Sequence, residues 1–318
     1  MDGAPSNLQL PSLRRDGLEM GVVPSPWISA AEFVHLRADP RLPAAVGAFA
    51  TSLIELYEGN ALMNALFGDR GRVVIGFFVL YLDTHPLPGR NECGATLSAV
   101  QTLCRATGLC SAGRAASVLA TMRFGRYITQ KRDPNDRRRR ILVPTQRLIG
   151  ITLVRWERQF EAMALVHRDA ALVPARLAIP AYRAAFLYQL GGYFLAGFRV
   201  LDHVPVLAGL AESNAALLLL SSLAIPQLSG TVAPGKGLPI SISALSRRFC
   251  VSRAHVRNVL RAAVDAEVIA HVPGSEEVVV LPALVDALIQ FYGVLFLIFD
   301  CCAAAALRHG SASPDALN

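Results

Sequence analysis

Two stretches of this chain lie on each other without a gap. SAGRAASVLATMRFGRYI (Ser111 to Ile128) and SRAHVRNVLRAAVDAEVI (Ser252 to Ile269) are 141 residues apart. Ser111 falls on Ser252, Val118 and Leu119 on Val259 and Leu260, and Ile128 on Ile269. Upstream, SAVQTLCRATG falls on SISALSRRF with one residue lost in the turn, which sets Val100 on Ile242 and Leu103 on Leu245. A strongly apolar segment precedes each copy (RVVIGFFVLYLDT and NAALLLLSSLAI). Self-similarity at a fixed offset means that one supersecondary unit is used twice. The fold must therefore accommodate two like units of about 140 residues each.

Within a unit the spacing is helical. Leu97, Val100, Leu103 and Cys104 share one helix face, and Gly108 ends the helix as a C-terminal glycine does. Ser111 is placed to cap a second helix with Ala115, Val118, Leu119 and Met122 on its apolar face. Two short β-type segments, RYITQ and RILVP, then flank KRDPNDRRR, with Pro134 and Asn135 as turn residues. The expected unit is a helix pair joined by a short turn and followed by a hairpin with a charged tip.

The hairpin concentrates the charge of the chain. Between Arg123 and Arg147 there are nine basic and two acidic residues, a net of +7, equal to the net charge of all 318 residues. The basic character thus belongs to one device. Arginine in such a loop stays ionised and offers a planar fork to phosphates. Asp133 and Asp136 are expected to pair with neighbouring arginines and hold the loop in one shape.

Residues 73 to 163 resemble a winged-helix unit of the MarR family of bacterial transcription regulators. The resemblance rests on Asp136 followed by Arg137 and Arg138, then ILVPT ending in Thr145, then the long helical segment QRLIGITLVRWERQFEAMALV. Pro144 stands where the family usually has Leu, and Arg126 where it usually has Gly. The resemblance implies that the second helix enters the major groove of double-stranded DNA and that the wing reaches the backbone or minor groove. It also implies dimerisation through helices at the chain ends. Here the apolar candidates are Ala44 to Phe67, Pro180 to Phe198 and Leu284 to Leu307. With two units in one chain, these helices predict either a pseudo-dimer or a homodimer with four units.

The two copies differ in chemistry. Arg253, Arg257 and Arg261 recur every four residues beside His255 and Asn258, opposite Val256, Val259, Leu260 and Ala263. Arg reads guanine and Asn reads adenine in the major groove. The first copy's second helix presents small residues outward, with only Arg114 and Arg123 having reach. The second wing, HVPGSEEVVV, carries Glu276 and Glu277. Unit one is expected to grip with its wing (Lys131, Arg132, Arg137, Arg138, Arg139, Arg140) and unit two to read with its helix. The helix-capping Ser111 and Ser252, and Ser117, complete the expected contact set.

The predicted fold class is mainly α with small β-hairpin wings, as tandem winged helix-turn-helix domains with apolar flanking helices. The expected layout is a loose arm over 1–26, a first unit over 27–170 and a second over 171–318. The arm mixes Pro, Gly and charge with no apolar run, unlike a signal peptide. Hydrophobic residues make up 53% of the chain and charged ones 17%, which excludes a disordered chain. Cys93, Cys104, Cys110, Cys250, Cys301 and Cys302 form no C-x-x-C pair and no zinc spacing, which reads as free thiols in a reducing cytoplasm. From Ala287 the uncharged run ends at Phe299, before Asp300, about 20 Å of helix against a hydrocarbon layer of roughly 30 Å. A buried interface helix is expected there, with no membrane. Scattered histidines and the lack of a phosphate-binding glycine loop argue against an enzyme, and no cofactor is expected. A replication initiator with two winged helices and a protein-binding scaffold built on the same units stay open as alternatives, and a small-molecule effector stays open as a partner.

Overall fold

The structure is a computed structural model that describes residues 30–87, 92–134, 136 and 138–311. The expected arm (1–26) and Arg137 lie outside the described residues. The described chain is mainly helical, with one two-stranded and one three-stranded sheet. The first half runs α1 (Ala30–Ala38), α2 (Leu42–Tyr57), α3 (Ala61–Phe67), α4 (Arg70–Thr84), α5 (Leu97–Ala106), α6 (Ala112–Phe124), β1 (Ile128–Arg132), β2 (Arg140–Pro144) and α7 (Gln146–Met163). The second half runs α8 (Val173–Leu177), α9 (Pro180–Leu195), α10 (Pro205–Ala208), α11 (Ala216–Leu228), β3 (Gly237–Pro239), α12 (Ile242–Arg248), α13 (Arg253–Asp265), β4 (Ile269–His271), β5 (Glu277–Val280) and α14 (Pro282–Ser311).

The repeat in the sequence is a repeat in the backbone. Ser111 accepts from the amide of Arg114 at the start of α6, and Ser252 accepts from the amide of His255 at the start of α13. Thr96 and Ser241 cap α5 and α12 in the same manner. Each cap satisfies a donor that the first helical turn leaves without a partner. Gly108 and Cys250 hold matching positive φ angles in the two turns, and Arg126 and Glu267 do so just before the two hairpins. In the second half β5 pairs with both β3 and β4. In the first, β2 pairs with β1 and, through the bridge Ala95–Leu142, with the segment leading into α5. That third strand is absent from the sequence reading, because Gly237–Pro239 and a single bridged alanine carry no alternating pattern to detect.

The halves interlock. Helix α2 packs on α7 of its own half and on α11 of the other, while α9 packs on α14 of its own half and on α4 of the first. The ends of the short helices cross over too: the Arg248 carbonyl at the end of α12 accepts from Gly59 N–H, and the Thr107 carbonyl at the end of α5 accepts from Arg199 at 2.8 Å. Reciprocal contacts of this kind are the pattern of a two-fold interface. One hydrophobic core runs from Phe33 to Ala306 across both halves. Trp156, Phe160, Phe186 and Phe299 meet edge-on or tilted inside it, with centroids 5.1–6.2 Å apart.

One expectation about the flanking helices needs correction. Ala44 to Phe67 is not one helix: α2 ends at Tyr57, Gly59 turns at φ +66°, and Asn60 caps α3 through the amide of Met63. The expected helix over Leu284 to Leu307 lies within α14, which runs on through Asp300, whose carboxylate meets His167 Nδ1 at 3.0 Å. By length and composition Pro282–Arg308 could cross a membrane, and 56% of its apolar window is buried within the chain.

Candidate nucleic-acid interface

The outer face of α13 carries Arg253, Arg257, Asn258 and Arg261, all exposed. None of these side chains forms an ion pair or hydrogen bond with another described residue. The opposite face, Val256, Val259, Leu260 and Ala263, is buried. The amphipathic split is the one the sequence predicts, and it leaves three cations and an amide facing outward without partners among the described residues.

In the first half, exposed cations of the expected contact set cluster on the hairpin. Register places Arg132 directly opposite Arg140, and both are exposed. Like charges facing each other across a strand pair repel by up to about 1 kcal/mol, so this pair favours an external anion. Lys131 and Arg138 are exposed beside them. Arg123, on the last turn of α6, reaches across to the hairpin and donates to Gln130 Oε1 at 2.9 Å. Ser117 is exposed on α6.

Other residues of the expected contact set are occupied. Arg139 is turned inward: its guanidinium meets Asp133 at 3.0 Å and also Glu92, and donates to the Cys93 carbonyl. Asp133 is buried, so Arg139 compensates a charge that cannot be hydrated there. Asp133 thus pairs with an arginine as expected. Asp136 instead shapes the turn, its carboxylate accepting from the backbone amide of Arg138. Ser111 and Ser252 spend their hydroxyls as caps.

Arg114 and His255, which stand at equivalent places in the repeat, are both tied to the body of the molecule. Arg114 pairs with buried Asp69 at 3.2 Å, and His255 Nε2 lies 2.7 Å from the Asn214 carbonyl oxygen. Asp69 also caps α4 and pairs with Arg72 at 3.0 Å. The two anchoring loops touch each other, since Ala215 N–H donates to the Gly68 carbonyl at 2.8 Å. Arg72 reaches Asn214 Oδ1 at 3.5 Å, and Arg70 pairs with Glu212 at 2.5 Å. The N-terminal ends of α6 and α13 are thereby joined through one polar junction between the halves. The sequence reading misses Asp69; its place before an apolar run is a signal for a helix cap, but nothing local marks Arg114, 45 positions on, as its partner.

The second hairpin is less acidic outward than its sequence suggests. Glu276 is exposed, whereas Glu277 lies half-buried over Gly237, where a Cβ would come within 2.5 Å of its carboxylate. Comparison with family models, with curated proteins and with solved structures finds no match.

Proposed function

We propose that this chain is a double-stranded DNA-binding protein of the transcription-regulator type, built from two winged helix-turn-helix units similar to those of the MarR family. The observation that carries the reading is the outer face of α13: Arg253, Arg257, Asn258 and Arg261 in a row, exposed and without partners among the described residues. A guanidinium can bond guanine O6 and N7 together, and an amide can do the same to adenine N6 and N7. The Arg132–Arg140 pair supports backbone contact from the other half. The polar junction supports the geometry, because it fixes α6 and α13 relative to each other. Reciprocal packing of the halves favours an inverted two-part site over the tandem repeats of a replication initiator.

The test is fluorescence anisotropy of labelled duplex DNA titrated with the full chain over a range of salt. Binding should weaken linearly on a log–log plot, and replacing Arg132 and Arg140 with Ala should lower the slope by about 0.9 for each lost phosphate contact. Unaltered slope would place that hairpin away from DNA. No binding at any salt would favour a protein-interaction scaffold.

A further inference from the structure

A cavity of about 290 Å³ lies between the two halves. Its walls come from α2, α4 and α7 on one side and α9, α11 and α14 on the other, with Phe49, Phe77, Phe194, Leu217 and Leu295 among the lining side chains. Several of these are only partly buried although they point into the middle of the molecule, which is where their remaining surface is spent. The volume is at the small end of the roughly 300–1,000 Å³ usual for small-molecule sites, and such sites combine apolar walls with a few polar groups.

Thr152, Arg155 and Gln159 follow each other at helical spacing along α7 and all line the cavity. Asp69, Arg70, Arg199 and Ser213 line the cavity as well, but the three charged ones are engaged: Asp69 with Arg72 and Arg114, Arg70 with Glu212, and Arg199 with backbone carbonyls. Gln159 is 2% exposed, and its amide makes one long bond of 3.5 Å to the Leu295 carbonyl. Arg155 is half-buried and has no ion pair or hydrogen bond among the described residues. Burial raises the phenols of Tyr57 and Tyr292 above their ordinary range, and the positive charge of Arg155 works against that rise in both. Arg155 thus lines the same interior space without a carboxylate paired to it among the described residues, the Asp69 carboxylate being held by Arg72 and Arg114. A partly desolvated cation of this kind gains most from an anion that brings its own apolar body.

We infer that the cavity between the halves is a binding site for an apolar monocarboxylate, whose acid group pairs with Arg155 and whose hydrocarbon fills the space between α4, α9 and α14. The site stands whether or not the chain binds DNA, and its assay contains none. Trp156 lines the cavity, and Trp27 is the only other tryptophan. The full chain carrying Trp27→Phe, titrated with dodecanoate below its micellar concentration, should show a saturable, one-to-one change in Trp156 emission. 1-Dodecanol, of equal chain length and no charge, should bind at least about tenfold more weakly, the value of one modest charge-assisted bond. Arg155→Met should bring the two ligands to equal affinity, while Arg155→Lys should keep part of the preference. Leu217→Phe should abolish binding of both by filling the space, and its melting curve shows whether the fold is kept. No saturable signal with either ligand overturns the inference, and so does a preference for the carboxylate that survives Arg155→Met. If Arg155→Met does not fold, equal affinity of the two ligands for the unaltered cavity overturns it instead.

Discussion

Arg126 (φ +58°) and Glu267 (φ +53°) hold a left-handed backbone at the same place in the two halves, just before each hairpin. A side chain there costs about 1–2 kcal/mol relative to a right-handed residue, and glycine is spared that cost. Glu267→Gly should therefore stabilise the protein by about 1 kcal/mol, read as a melting temperature a few degrees higher. A lower melting temperature would mean that the Glu267 side chain makes a contact worth more than the backbone strain. A second contrast separates two arginines that the sequence cannot tell apart. Arg139→Ala removes the guanidinium that lies 3.0 Å from buried Asp133 and should destabilise the fold by about 2 kcal/mol, the value of a hydrogen bond to a charged group. Arg257→Ala removes an exposed side chain and should leave the melting temperature unchanged. It should instead cost about 1–3 kcal/mol on the preferred DNA site and relax one base pair of its preference. Equal loss on all sequences would make Arg257 a phosphate contact. Both arginines read as basic residues available for contact; a pairing of Asp133 with some neighbouring arginine was legible, but that it is Arg139 is set also by Glu92 and Cys93, which lie 46 or more positions upstream.

Local pattern made the helix pairs and the hairpins legible, because apolar periodicity, capping serines and turn residues all act within a few positions. The capping of α6 and α13 by Ser111 and Ser252 is the clearest case. What the sequence could not show is which helix lies on which. The crossing of α9 over α4 is set by Gly191, where a Cβ would meet the Tyr81 ring at 2.4 Å. Neither residue announces the other in the sequence. Gly191→Ala should force the two helices apart and cost about 1–3 kcal/mol, as overpacking does. Gly192, with open space at its Cβ position, is the control: Gly192→Ala should be neutral or mildly stabilising. Thermal melts of the two variants check this, and equal effects would mean that α9 does not sit on α4 as described. At the same scale, thiol exposure should follow the helices. Cys93 and Cys250 are exposed, whereas Cys104 and Cys302 are buried, and burial together with neighbouring Cys110 raises the Cys104 thiol to about 12. An aromatic disulfide reagent at neutral pH should label Cys93 and Cys250 first, and Cys104 and Cys302 only on unfolding.

For the whole molecule, the central claim is that one chain presents two DNA-binding units in a fixed two-fold relation. The junction of Asp69, Arg72, Asn214, Arg114 and His255 joins the N-terminal ends of α6 and α13, so their separation is a property of the fold and not of a linker. The internal repeat was visible in the sequence, yet the reciprocal exchange of α2 and α9 between the halves was not, because the repeat is strong only around the short helices. A chain so arranged should bind a two-part site as a monomer of 34.1 kDa. The most direct measurement is selection of bound sequences from a random duplex pool by the full chain, with the mass of the selected complex determined by sedimentation. The account predicts two enriched half-sites in inverted orientation at one spacing, bound by a single chain, with the preference in one half-site relaxed by Arg257→Ala. Tandem repeats, a single half-site, or no enrichment over the starting pool would contradict it.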